Sequence, residues 1–87
     1  MTTFNKLVTI NGNMPQVLSL ISSMLERQDS DFQHFDPDFK ITKVTGMMTA
    51  GEYTTSVYAT SSEDIYPESV AEMAGDRYGV EVSIAND

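Results

Sequence analysis

The sequence predicts an α+β fold of the ferredoxin-like, split βαβ type: a four-stranded antiparallel sheet with two helices on one of its faces. Three observations lead to this prediction. The segments follow the order strand, helix, strand, strand, helix, strand, a recurrent motif of small domains. The two middle strands read as one hairpin over residues 41–60, with Ala50-Gly51 at the bend. The chain has 87 residues, which suits a single domain, 1–87, with a small core.

The hairpin segment is rich in Thr, Val, Ile, Tyr and Met and contains no Pro, a composition typical of strands. Side chains in its second arm alternate, so one set should face the core and the other the open side of the sheet. The set predicted to face the core is Tyr53, Thr55, Val57 and Ala59. The set predicted to face away is Thr54, Ser56 and Tyr58. In the first arm Ile41 and Val44 fall on opposite phases, which predicts a β-bulge or an edge strand, with Gly46 as the suspected position.

The first strand is predicted at residues 4–10, where both faces carry apolar side chains, as expected of a central strand. Asn13 is the predicted N-cap of a first helix that tolerates Pro15 in its first turn and ends near Arg27 or Gln28. Apolar residues at spacings of three and four predict the buried stripe of this helix. The stripe consists of Met14, Val17, Leu18, Ile21, Met24 and Leu25.

Residues 61–64, Ser-Ser-Glu-Asp, are interpreted as the start of the second helix, because they offer a hydroxyl as a cap and acids for the positive first turn. Because Pro67 restricts the residue before it, the regular helix is expected to begin only there. Gly79 is predicted to end the helix in a left-handed conformation, before a last strand at residues 80–84. The predicted buried stripe is Val70, Met73 and Ala74.

Right-handed crossover connections would place strands one and three in the centre of the sheet and strands two and four at its edges. Both helices then cover one face. The other face is left open to solvent or to a partner.

Residues 28–40 are the least regular part of the chain, and three Phe are expected to anchor them by a turn of helix or a flap. Asp29-Ser30-Asp31 resembles the start of an EF-hand loop, but His34 stands where Gly is needed and Lys40 where Glu is needed. His34 has no Cys and no obvious Ser partner, so we interpret it as a solvated or loop-packed imidazole. The sequence predicts neither a metal site nor a cofactor.

Composition indicates a soluble, cytoplasmic protein. The absence of Cys excludes a disulfide framework and thiolate chemistry. No run of about 18 apolar residues is present, so no membrane span is predicted. With 13 Asp and Glu against 5 Lys and Arg, the formal net charge is −8, which repels nucleic acid and anionic lipid.

Acidic residues recur at every fourth position of the predicted second helix, so on a regular helix they would share one face about 6 Å apart. This row is Asp64, Glu68, Glu72 and Asp76. Further acids beside it are Glu63 and the loop residues Asp29, Asp31, Asp36 and Asp38. The row has two interpretations: a solvated surface that serves solubility, or a docking surface for a basic partner.

The functional hypothesis is a small acidic protein-interaction module. Carboxylates about 6 Å apart approximate a phosphate backbone, so the row could occupy the basic groove of a nucleic-acid-binding host protein. In size, charge and lack of Cys the chain is similar to phage-encoded inhibitors, including anti-CRISPR and anti-restriction proteins that act as DNA mimics. The resemblance implies a basic host protein as the partner, with no direct contact to nucleic acid or membrane.

Other classes fit these residues differently. An RNA-recognition domain needs exposed aromatic side chains on its third strand, where residues 51–58 offer Thr and Ser. The glycines are scattered and form no phosphate cradle, so an enzyme is not predicted and no catalytic residue is assigned. The main alternative is a dimeric regulatory domain that pairs through edge strands, as a weak homodimer, and holds a small ligand at the interface.

Overall fold

A computed structural model describes residues 2–26 and 31–87. Its elements follow the predicted order, with one short additional helix before the second strand. They are β1 (Phe4–Gly12), α1 (Met14–Glu26), α2 (Asp31–Phe35), β2 (Lys40–Thr49), β3 (Glu52–Ser61), α3 (Glu68–Tyr78) and β4 (Glu81–Asn86). The strands form one antiparallel sheet in the order β2-β3-β1-β4, so the predicted ferredoxin-like βαββαβ fold is confirmed. The predicted end of α1 at residue 27 or 28 lies outside the described residues.

A two-residue turn joins β2 to β3 at the predicted dipeptide. Ala50 and Gly51 have φ values of 51° and 84°, the paired positive angles of a type I′ turn. The backbone twist of this turn matches the twist of the two strands it connects. Ala50 therefore carries a side chain in a conformation that glycine and asparagine adopt more easily.

The predicted β-bulge is present, but its suspected position was wrong. The register shifts at Thr42, which donates its hydroxyl to the Tyr58 carbonyl oxygen at 3.1 Å. Gly46 keeps regular strand pairing and is not part of the bulge. Its lack of a side chain makes room for the ring of Tyr53. The Tyr53 ring lies across it, so that a Cβ at position 46 would overlap the Tyr53 hydroxyl.

The core fills the space between the helices and one face of the sheet. Within it, Phe32 and Phe39 stack with ring centroids 5.6 Å apart and anchor the segment before β2, as its three Phe predicted. The strand residues of the core are Val8, Ile10, Val57 and Ala59. The helix residues are Val17, Leu20, Ile21, Met24, Val70 and Ala74.

The buried face of α1 is rotated from the predicted one. Leu20 is buried, although the predicted stripe did not contain it. Three residues of the predicted stripe are instead 41%, 41% and 57% exposed: Met14, Leu18 and Leu25. The cause is the width of the apolar surface on α1. The helix packs on β1 and β3, and its apolar residues extend further around the axis than those two strands cover.

The helix α3 begins directly after Pro67 and ends at Gly79, which has a φ of 68°, as predicted. Residues 61–64 are not part of it, which corrects the interpretation of Ser-Ser-Glu-Asp as the start of the helix. None of the helices within the described residues is long and apolar enough to cross a membrane.

The buried face of α3 also differs from the prediction. Met73 is 51% exposed, while Ala71 and Gly75 are buried. These small residues let the helix approach β4 closely, because a Cβ at Gly75 would lie 2.7 Å from the Val80 carbonyl oxygen. A larger side chain such as Met73 is thereby turned away from the sheet.

Candidate functional site

Asp36, predicted to be a docking acid, lies in the core with 1% of its surface exposed. One carboxylate oxygen accepts hydrogen bonds from the hydroxyls of Ser61 at 2.5 Å and Tyr66 at 2.8 Å. The other accepts from the Ser62 hydroxyl at 2.9 Å and the Asp38 N–H at 3.0 Å. The two serines therefore bind this carboxylate instead of capping α3, and Asp36 is not available to a partner.

These hydrogen bonds set the charge state of the cluster. Burial alone would raise the pKa of the Asp36 carboxyl, but the bonds from Ser61, Tyr66, Ser62 and the Asp38 N–H outweigh burial and hold that pKa below its usual value. Burial and the neighbouring carboxylate raise the pKa of the Tyr66 hydroxyl, which therefore stays protonated as a donor. The hydrogen bonds of this cluster connect three segments: the turn after α2, the end of β3 and the segment before α3.

Asp64 is held at the sheet edge by a buried lysine. The Lys6 ammonium donates to the Asp64 carbonyl oxygen and to the Asn86 side-chain oxygen, and it lies 5.4 Å from the centre of the Tyr66 ring. The Asn86 amide in turn donates to the Asp64 carboxylate at 3.2 Å. Asp64 therefore precedes α3 but lies beside the end of β4.

The other predicted docking acids separate from one another. Asp31 is 6% exposed and forms an ion pair with Arg77 at 3.1 Å. Because Asp31 is buried, it is not part of a docking surface. Its ion pair also engages Arg77, the cation nearest to the acidic row. Asp38 and Glu63 are exposed, but neither lies on α3. Asp29 lies outside the described residues.

Exposed acids do come together along α3 and β4. Glu68, Glu72 and Asp76 recur every four residues on α3, are exposed, and form no ion pair within the described residues. A shallow groove of about 290 Å³ between α3 and β4 is lined by Glu72, Asp76 and Glu81. We call the following set the acidic flank: Asp64, Glu68, Glu72, Asp76 and Glu81. Sequence reasoning missed Glu81, which only the packing of α3 on β4 brings to this flank.

The acidic flank is a charged surface without the geometry of a metal centre. Among the residues that the structure describes, no three His, Cys, Asp or Glu side chains are placed to share an ion.

Apolar side chains are exposed at the β2 edge of the sheet, which is opposite to the β4 edge and its acidic flank. Val44 and Met48 of the edge strand β2 point to the helix side of the sheet and are exposed. On α1, the Gln16 amide lies beside Gly79 at the end of α3, so the opposite flank of the helix, which carries Leu18, faces β2. We call the following set the apolar strip: Met14, Leu18 and Leu25 of α1 with Val44 and Met48 of β2.

The apolar strip borders a free strand edge. Within residues 2–26 and 31–87, β2 pairs only with β3, so its outer N–H and C=O groups have no partner strand there. β2 has 10 residues and no Pro, and after the bulge at Thr42 its residues 43–49 pair regularly with β3. The surplus of apolar residues on α1, beyond one buried stripe, was the signal in the sequence that could have revealed this surface.

No model of a protein family matches the chain, and no curated protein is detectably similar to it in sequence. Solved structures are similar in fold. An ACT domain protein from Streptococcus pneumoniae has 12% identity and a TM-score of 0.62, over 98% of this chain and 91% of that one. The C-terminal domain of the MgtC protein from Mycobacterium tuberculosis has 10% identity and a TM-score of 0.69, over 97% and 87%.

A de novo designed protein, Foldit4, also has this fold, with 14% identity and a TM-score of 0.55 over 99% of this chain and 97% of that one. At such identities the likeness shows the fold alone, and a fold does not specify a function. The chain thus has an ACT-like ferredoxin fold, formed by four antiparallel strands and the helices on one side of them.

Proposed function

We propose that the protein is a regulatory domain that pairs with a second copy through β2 and holds a small ligand where the two copies meet. The observation that carries this proposal is the apolar strip beside the free edge of β2. The fold that the chain shares with an ACT domain protein supports it, because that likeness suggests a small-ligand regulatory domain.

Pairing through β2 would use both parts of this surface at once. Two antiparallel β2 strands would satisfy each other's outer backbone groups and continue the sheet across a two-fold axis. The same axis would bring the exposed flanks of the two α1 helices together over the junction. Lys40 and Lys43 point to the open side of the sheet and leave the apolar strip clear.

The ligand site would lie between the two α1 flanks, above the joined strands. Its walls would be formed by Leu and Met side chains of the apolar strip. We therefore expect a small molecule with an apolar portion. Ligand binding would stabilise the pair by contacting both copies.

The experiment is sedimentation velocity on wild type, Met48→Glu and Met73→Glu, combined with thermal unfolding against amino acids, nucleotides and sugar phosphates. Met48→Glu places a charge in the apolar strip and should abolish pairing. Met73→Glu is the matched control, because Met73 is 51% exposed against 57% for Met48 but lies on α3. A wild type that stays monomeric and shows no ligand-induced thermal shift would disprove the proposal.

A second candidate function is docking to a basic host protein, as expected of a small acidic inhibitor. The observation favouring it is the acidic flank, whose α3 members have no cation partner within the described residues. Glu68→Lys with Glu72→Lys should slow association with such a partner, and raising salt from about 0.05 to 0.5 M should weaken it. Glu26→Lys with Asp38→Lys is the control, since it changes the net charge equally at another surface. Equal effects of both double variants would reject specific docking.

A further inference from the structure

We infer that the outer edge of β4 is a docking strand for an extended basic peptide, which adds to the sheet beside α3 and carries Lys or Arg at every second position. This edge lies on the opposite side of the sheet from β2, so docking there does not depend on pairing through β2. It rests on the second candidate function, because it uses the acidic flank, and it specifies the form of basic partner that the flank fits.

The outer side of β4 carries free backbone groups. In the part of the chain that the structure describes, β4 pairs only with β1. The Asp87 N–H donates to the Asn5 carbonyl oxygen, which makes these two residues a hydrogen-bonded pair, and such pairs alternate along antiparallel strands. The N–H and C=O groups of Val82 and Ile84 therefore point away from β1, where a further strand can bind them.

A strand added at this edge would place every second side chain under α3. Residues directly opposite each other in a sheet point to the same face, so the peptide residues opposite Val82 and Ile84 would point to the helix side. There they meet the groove between α3 and β4, whose floor contains Ala71 and Val82. The rim of the groove carries Glu72 and Asp76, which are exposed and form no ion pair within the described residues.

Long basic side chains fit an apolar floor with an acidic rim. The aliphatic stem of Lys or Arg packs on apolar surface, while its charged end reaches carboxylates at the border. Glu68 extends the row of acids by one further turn of α3, so the charge continues along the added strand. Nucleic acid and acidic peptides are excluded from this edge, because the same acids repel them.

A second copy of β4 is also excluded by these charges. Two paired β4 strands would bring the acidic flanks of two chains together, and each chain has a formal net charge of −8. The β4 sequence, Glu-Val-Ser-Ile-Ala-Asn, contains neither Lys nor Pro, which commonly protect a free edge. The acids thus prevent self-pairing and leave the edge open to a basic strand.

The test measures the binding of three fluorescent peptides by anisotropy at low salt. The alternating peptide is Thr-Lys-Thr-Lys-Thr-Lys-Thr, and the block peptide of equal composition is Thr-Thr-Lys-Lys-Lys-Thr-Thr. The third peptide has the alternating sequence with its lysine amides N-methylated, which keeps the charge and removes the backbone donors that would face β4.

The protein is tested as wild type and as two double variants. Glu72→Lys with Asp76→Lys reverses the charge of the rim. Glu26→Lys with Asp38→Lys is the control, which changes the net charge equally at another surface. All four residues are exposed, so folding should be unaffected and is verified by circular dichroism.

The alternating peptide should bind wild type at least about fivefold more tightly than the block peptide and at least about tenfold more tightly than the N-methylated one, because only it matches both the backbone of β4 and the groove. The rim variant should weaken this binding at least about tenfold, and the control variant less than about threefold. With peptide bound, hydrogen exchange should slow at the amides of Val82 and Ile84 and stay unchanged in residues 40–49.

Equal binding of the three peptides would overturn the inference and leave charge-driven docking to the acidic flank intact. Protection in residues 40–49 in place of β4 would overturn it as well. No binding of any of these basic peptides would reject both the inference and the docking role of the acidic flank.

Discussion

The Tyr66 hydroxyl donates a 2.8 Å hydrogen bond to the Asp36 carboxylate inside the core. Tyr66→Phe removes this donor but keeps the ring, which contacts Phe35 at 4.7 Å between centroids. Because the acceptor is a buried charge, we expect the free energy of unfolding to fall by about 1.5–3 kcal/mol in urea titrations. Tyr58→Phe, on the open face, is the control and should change it by less than about 0.5 kcal/mol. Equal losses would show that the Asp36 bond contributes nothing specific.

Acid should weaken the fold through Asp36. Hydrogen bonding lowers the pKa of this carboxyl in the folded state from the ordinary value of 3.8. Its stabilisation is therefore complete above the unfolded-state pKa and is lost as the pH falls through the lower folded-state pKa. Asp36→Asn should lower the free energy of unfolding by about 2 kcal/mol or more at pH 7. The gap in this free energy between variant and wild type should narrow below about pH 4. A gap that is constant from pH 7 to pH 3 would contradict this assignment.

The close approach of α3 to β4 predicts the effect of a single methyl group. Gly75→Ala should lower the free energy of unfolding by about 1–2 kcal/mol, because the new Cβ meets the Val80 carbonyl oxygen and this outweighs the gain of about 1 kcal/mol in helix propensity. Ser69→Ala, on the exposed side of the same helix, should be neutral or slightly stabilising. Stabilisation by Gly75→Ala would mean that the two elements are not in contact.

The hairpin turn offers a stabilising change. Ala50 has a positive φ of 51°, which a side chain with a Cβ adopts only at a cost. Ala50→Asn gives the Asn-Gly pair preferred in type I′ turns and should raise the free energy of unfolding by about 0.5–1 kcal/mol. Gly51→Ala should lower it by about 1 kcal/mol, since φ there is 84°. A loss of stability with Ala50→Asn, or no loss with Gly51→Ala, would refute the turn type.

Local patterns were sufficient to predict the fold. Alternation in residues 53–59 identified the core-facing side of β3, and Pro67 and Gly79 marked the ends of α3. These signals act through neighbouring residues, so one sequence contains them completely. The strand order followed from the handedness of crossover connections.

Contacts between distant segments could not be predicted in the same way. Asp36 looked like a surface acid, because only the fold brings Ser61, Ser62 and Tyr66 around it. Met73 had the spacing of a core residue, but the close packing permitted by Gly75 rotates α3 and exposes it. Burial of a charged group and the rotation of a helix both depend on partners far away in the chain.

The apolar strip could not be predicted from the sequence pattern either. Six apolar positions on α1 predicted a buried stripe. The spacing of these positions does not show how much of the helix surface the sheet covers. Leu18 and Leu25 stay exposed, because α1 packs on β1 and β3 and these two strands do not cover them. A surplus of apolar residues on one helix is therefore better interpreted as a core face with an adjoining contact surface.

Hydrogen exchange of the β2 amides at different protein concentrations tests pairing through this edge most directly. At about 5 µM, the outward amides of residues 40–49 should exchange rapidly, because an edge strand leaves them without partners. At about 500 µM they should slow at least about tenfold, while those of β4 stay unchanged, because a second β2 strand then accepts their hydrogen bonds. Exchange in β2 that is the same at both concentrations would contradict the account.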